Sequence, residues 1–174
     1  STFGAYIVKP KASAMTSYAT DHNVFLPVFG TNGYELKTCV VMKGAGIMFQ
    51  PHHVLIVTDQ HQYRMDLKAE RPMVFGVEGS SYVAFLLPSE AMEMCRDIAD
   101  SSTVTVRYSM DSTHSGRNDF QLSQDVKDLF GAVYEVYMFY DAILDNSETD
   151  RLIDEQAYSY INYKREAKPA PVQE

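Results

Sequence analysis

MVFGVEGSSYVAFLLPSEAMEMCRDIADSSTVTVRYSM, Met73 to Met110, is the stretch whose reading decides the fold, because it spells strand, strand, helix, strand in one run. Met73 to Val77 and Tyr82 to Leu87 are β-branched and aromatic runs joined by Glu78-Gly79-Ser80-Ser81, a hairpin link. Pro88 ends pairing. Ser89 is placed to cap the next helix with its hydroxyl, Glu90 and Glu93 suit the positive end of the helix dipole, and Ala91, Met94, Cys95, Ile98 and Ala99 form one apolar stripe. Beyond the turn at Asp100 to Ser102, Val104, Val106, Tyr108 and Met110 alternate with Thr103, Thr105, Arg107 and Ser109. A helix packed on a half-exposed antiparallel sheet is predicted.

Upstream, Ser1 to Asn23 is small and hydroxylic, with a short strand candidate at Phe3 to Val8. Val24 to Phe29 is broken by Pro27 and reads as an edge strand or an irregular extended piece; Tyr34 to Met42 is a better strand. Lys43-Gly44-Ala45-Gly46 lacks the ending of a phosphate loop and reads as a hairpin link. Val54 to Thr58 is a continuous apolar run, the mark of a strand covered on both faces, and Tyr63, Met65 and Leu67 alternate with Arg64, Asp66 and Lys68.

Downstream, Phe120 to Leu122 ends a short strand and Ser123 caps a second helix reaching Leu144. Val126, Leu129, Phe130, Val133, Tyr137 and Tyr140 hold its inner stripe, while Tyr134, Met138, Phe139 and Ile143 lie off it. A narrow polar face is left at Lys127, Asp128, Glu135 and Asp141, so the helix is apolar over most of its girth and something must cover it. A third helix is predicted from Asp150 to Lys164, with Ile153, Ala157, Tyr160 and Ile161 inward, followed by a charged tail carrying Pro169 and Pro171.

Length and composition bound the rest. A chain of 174 residues with 45% hydrophobic content buries enough surface for one domain with a real core, and no apolar run approaches the ~20 residues of a membrane span. A net charge of -8 disfavours nonspecific adhesion to nucleic acid or anionic lipid. Cys39 and Cys95 fit one disulfide or two thiols; their different strand and helix surroundings favour thiols. The first residue is Ser1, and no charged region followed by an apolar one marks a signal peptide, as after its removal or after loss of an initiator Met. A cytoplasmic location is slightly favoured over a periplasmic or secreted one.

No hydrolase, redox, dinucleotide or nucleotide motif is present. His52, His53 and His61 near Asp59 are the clustered metal-type ligands; neighbouring histidines on a strand point to opposite faces, which leaves His52 and His61 as the candidate pair. Asp59, Asp66 and Asp119 are candidates for a dispersed active site. Tyr158, Tyr160 and Tyr163 beside Lys164 and Arg165 are candidates for base stacking or partner contact.

The succession of the Val54 to Leu67 strands, the Tyr82 to Leu87 strand, "FLLPSEAMEMCRDI", "STVTVRYS" and "NDFQLS" resembles one domain of the bacterial DNA sliding clamp over residues 52–122, about 40% of the chain. The resemblance implies a DNA-processing accessory that tracks DNA with Lys and Arg on inward helices. The matching helix here carries Glu90, Glu93 and Asp97 with Arg96 as its cation.

Together these readings predict an α+β chain: an antiparallel sheet of seven to nine strands with one packed helix and a C-terminal helical hairpin. The divisions are an arm or edge segment (1–23), a β-rich core (24–122), the helical hairpin (123–164) and a flexible tail (165–174). The function expected is noncatalytic: a binding or assembly protein, a subunit of a larger complex, whose partner meets Tyr134, Met138, Phe139, Tyr158 and Tyr160. A clamp-like accessory is the alternative, with nucleic acid the less favoured partner, and an enzyme with a dispersed site comes third. No cofactor, catalytic residue or membrane span is assigned.

Overall fold

The structure of the protein is a computed structural model, and it describes residues 6–8, 24–31, 36–44, 51–67, 73–77, 80–109, 118–144, 150–155 and 161–171. The strands are β1 (Tyr6–Val8), β2 (Val24–Thr31), β3 (Leu36–Gly44), β4 (His53–Val57), β5 (His61–Leu67), β6 (Met73–Val77), β7 (Ser80–Leu86), β8 (Thr105–Ser109), β9 (Asn118–Gln121) and β10 (Ile161–Ala167). After β7 comes a single 3-10 turn at Ser89–Ala91, then helix α1 (Met92–Asp100); helix α2 (Gln124–Leu144) follows β9, and residues 150–155 are helical. This is an α+β fold with antiparallel sheets.

One continuous sheet was expected, and the strands divide between two. Sheet A has the order β1-β2-β3-β7-β6 and sheet B the order β10-β5-β4-β8-β9, every pairing antiparallel. The stretch from Met73 to Ser109 joins them: β6 and β7 belong to sheet A, β8 to sheet B, and α1 carries the chain across. Two smaller sheets sharing one interior bury the apolar faces of so many strands better than one strongly twisted open sheet.

Both sheets and both helices meet in that interior. Phe25 of β2 stacks on Phe130 of α2, with centroids 5.6 Å apart, and lies 6.5 Å from Tyr108 of β8. Met42, Ile56, Tyr63, Met65, Met94 and Ile98 are fully buried around them. Helices α1 and α2 cross closely, since a Cβ added at Gly131 would stand 3.1 Å from the Ala99 Cβ. Glycine there permits the approach. The Val54 to Thr58 run is covered less evenly than its composition suggests: Val54 and Ile56 are buried, but Leu55 and Val57 are only half-buried on the outer face.

The boundaries of α2 are those read from its periodicity, and Ser123 Oγ accepts the Val126 N–H at 3.4 Å as expected of its cap. Ser89 does not cap α1. Its N–H and hydroxyl instead donate to Asp154, at 2.6 and 2.8 Å, so a carboxylate from 150–155 serves that helix entry. The hairpin's second arm is shorter than predicted. Residues 150–155 are helical, but Ile161–Ala167, assigned by periodicity to the end of the third helix and the start of the tail, form β10 on the edge of β5. Ile161 and Tyr163 point inward and Asn162 and Lys164 outward, a period of two that outweighs the helical spacing of Ile153, Ala157 and Ile161 once an open strand edge is available.

Cys95 is an unpaired, buried thiol whose ionisation burial pushes up to about 12, in keeping with the thiol reading; the Cys39 side chain lies outside the described residues.

Candidate binding face and a closed polar junction

Helix α2 spans about 30 Å at 1.5 Å per residue. Val126, Phe130, Val133 and Tyr137 recur at i, i+4, i+7 and i+11 and are buried. A second stripe, Asp128, Ala132, Glu135, Phe139 and Ala142, runs along the opposite side and is exposed throughout. Its chemistry changes along its length, from the acids Asp128 and Glu135 to the apolar Phe139 and Ala142 on the last two turns. There Met138 is 44% exposed, Phe139 62% and Ile143 59%.

Of the residues predicted to meet a partner, the structure leaves Met138 and Phe139 exposed. Tyr134 is half-buried, with the Arg96 guanidinium 5.9 Å above its ring. Tyr158 and Tyr160 lie outside the described residues. Tyr163 is buried and stacks on Tyr63 at 6.2 Å, so its face is not available to a base.

Lys127 was expected on the polar face and is instead 5% exposed. Its ammonium donates to the Ser101 and Ser102 carbonyls at 2.9 and 3.0 Å, satisfying backbone acceptors just past the end of α1. Near the end of α2, burial and then the charges of Asp141 and Asp154 push the Asp150 carboxyl above its ordinary range, against the hydrogen bond it accepts from Tyr137 at 2.9 Å. Negative charge gathers there.

The second arrangement is polar and closed. Asp97 of α1 accepts on one oxygen, Oδ2, from Tyr63 at 2.7 Å, from His61 Nδ1 at 2.8 Å and from Thr58 at 3.0 Å. Burial would raise the Asp97 carboxyl, but these bonds together hold it below its ordinary value. With Nδ1–H committed to Asp97, His61 Nε2 is an acceptor, and Arg165 of β10 stands 3.2 Å from it. Such an Asp–His pair could orient a general base, yet the atom that would take the proton already faces a guanidinium. One turn away, Asp59 accepts from the Ser102 N–H at 2.7 Å and its hydroxyl at 2.9 Å, and Ser101 Oγ donates to the Asp97 carbonyl at 2.6 Å. Those backbone and hydroxyl bonds lower the Asp59 carboxyl. The arrangement pins α1, the β4–β5 turn and β10 to one another.

His52 and His61, the candidate metal pair, fall at opposite ends of the β4–β5 hairpin: His52 accepts from the Leu67 N–H, six residues and about 20 Å of strand from His61. They cannot share an ion. Among the described residues, no group of three or more His, Cys, Asp or Glu is placed to hold a metal. The three carboxylates of the dispersed-site reading are also apart: Asp59 binds the Ser102 backbone, Asp66 pairs with His53 at 2.7 Å, and Asp119 grips Arg107 at 2.6 and 2.7 Å.

Register places Lys164, Arg64, Leu55, Arg107 and Asp119 in one row across the outer face of sheet B. A shallow concavity of about 250 Å³ there is lined by His53, Leu55, Arg64, Asp66, Arg107 and Ser109. Its arginines are answered within the sheet, Arg64 by Glu166 at 3.1 Å and Arg107 by Asp119.

Asp97 is the functional-looking residue that sequence reasoning missed as a centre; its partners are 34 to 39 residues away, so no local spacing announces them. Among the described residues no helix is long and apolar enough to cross a membrane. Comparison of the chain with protein-family models, with curated proteins and with solved structures finds no match.

Proposed function

We propose that this chain is a noncatalytic binding or assembly protein, a subunit of a larger complex, and that its partner covers the C-terminal half of α2. The observation that carries the reading is the exposure of Met138, Phe139 and Ile143 within the last two turns of a helix whose buried stripe already fills the core. Tyr, Phe and Met are the side chains enriched at protein interfaces, and contiguous apolar surface on an otherwise acidic chain marks a contact site. The test is Phe139→Glu with Met138→Glu, followed by melting and by light-scattering mass of the protein drawn from its native extract. An unchanged melting temperature with loss of the assembled mass is expected. A variant that keeps the parent's assembled mass removes the reading.

A sliding-clamp-like DNA accessory is the second reading, supported by the succession β7, Pro88-Ser89, α1, β8, β9. A salt-dependent DNA titration separates the two: saturable binding weakened by added salt favours the clamp, and none at physiological salt favours the protein partner.

A further inference from the structure

We propose that the partner element docking on α2 is a basic amphipathic polypeptide segment, cationic where it meets Asp128 and Glu135 and apolar where it meets Phe139 and Ala142 on the same exposed stripe. This rests on the binding reading above and names the chemistry of its partner. Helix α2 carries four carboxylates, Asp125, Asp128, Glu135 and Asp141, and one cation, Lys127. That cation is withdrawn into the interior and spent on two carbonyls. Among the described residues no cation pairs with Asp128 or Glu135; Asp128 accepts only from the neutral Gln124 amide, at 2.7 Å. Arg96 of α1, which reaches Tyr134 on α2, is held by Glu93 at 2.9 Å and by the Tyr134 ring.

The stripe Asp128, Ala132, Glu135, Phe139 therefore presents negative charge and then bare apolar surface in line, with small Ala132 between. Each alternative occupant meets a mismatch. In a second copy lying antiparallel, acids would face apolar side chains; in a parallel copy, acids would face acids. Nucleic acid or an anionic bilayer would be repelled by the acidic half. A segment with Lys or Arg on one part of its face and Leu-like anchors on the next satisfies both halves, and the span from Asp128 to Phe139 asks for about three helical turns of it.

The test uses three fluorescein-labelled helical peptides as probes, one of Leu and Lys, one of Leu and Glu, and one of Ser and Lys, with anisotropy read at low and high salt. The Leu/Lys peptide is expected to bind best. Asp128→Asn with Glu135→Gln should weaken it about threefold to tenfold and flatten its salt dependence, the range for two exposed ion pairs. Asp66→Asn with Asp119→Asn, the same charge change on the outer face of sheet B, should leave binding unchanged, and Phe139→Ser should weaken it at both salts. Equal loss in the two charge variants, or a Leu/Glu peptide binding as well as Leu/Lys, overturns the inference. So does self-association in sedimentation that Phe139→Ser abolishes. If Phe139→Glu with Met138→Glu disperses the native assembly while Asp128→Asn with Glu135→Gln does not, the basic partner falls and the binding face stands; if neither does, both fall.

Discussion

Under the C-terminal end of α1, Thr58, His61 and Tyr63 converge on the Asp97 carboxylate, and Arg165 of β10 closes on His61 from outside. At the C-terminal end of α2, Met138, Phe139 and Ile143 leave about half of their surface open to water. The contrast separates two uses of sequence. Closed hydrogen bonding in a partly desolvated site adds stability and fixes one arrangement, whereas apolar surface left exposed adds little to the stability of the folded chain.

The comparison breaks most sharply at Asp97. Asp97→Ala leaves the fully buried Tyr63 and Thr58 and the half-buried His61 without their shared acceptor, and should cost about 3 kcal/mol in urea denaturation. Its folded value lies below the unfolded 3.8, so its stabilisation is fully present above 3.8 and is lost as pH falls through the folded value. The parent should therefore converge on Asp97→Asn in acid; a difference between the two that is constant from neutral pH to strong acid would mean that the charge is immaterial.

Lys127 tests whether the closed region extends along α2. Lys127→Met keeps the stem and removes the ammonium from two carbonyls, one of them buried, so a loss of about 2 kcal/mol is expected by the same denaturation measurement. Full stability would show that water replaces the ammonium there.

The two regions also differ in how far they could be read before folding. The α2 stripe, its ends and the excess of apolar side chains at Met138 and Phe139 were legible because a helical period is written locally. The same holds for the alternation of Val104, Val106 and Tyr108. The division into two sheets was not, since nothing in β3 or β4 says that β3 will pair with β7 and β4 with β8. Lys127 was misplaced because the acceptors that bury it lie 25 and 26 residues earlier, on the far side of β8 and β9 in the chain. Ile161 and Tyr163 fit either period, and the open edge of β5 decided between them.

The smallest expected effect sits where the two regimes meet, at Asp150. Its carboxyl accepts from Tyr137, as Asp97 accepts from Tyr63, but burial and the neighbouring charges of Asp141 and Asp154 raise it where Asp97 is lowered. The sign of its linkage is therefore reversed. A raised group favours the folded state below its unfolded value of 3.8 and loses that contribution as pH rises through the folded value, leaving a repulsive penalty at neutral pH. Asp150→Asn keeps an oxygen for the Tyr137 hydroxyl and removes the charge, so at pH 7 it should be more stable than the parent. Asp150 is only partly buried and solvent screens the repulsion, which limits the gain to about 0.5 kcal/mol. As pH falls below the folded value the parent protonates and the gap should close. A variant less stable than the parent at neutral pH would show that the charged hydrogen bond outweighs the repulsion, and that the end of α2 is held by polar contacts in the manner of α1.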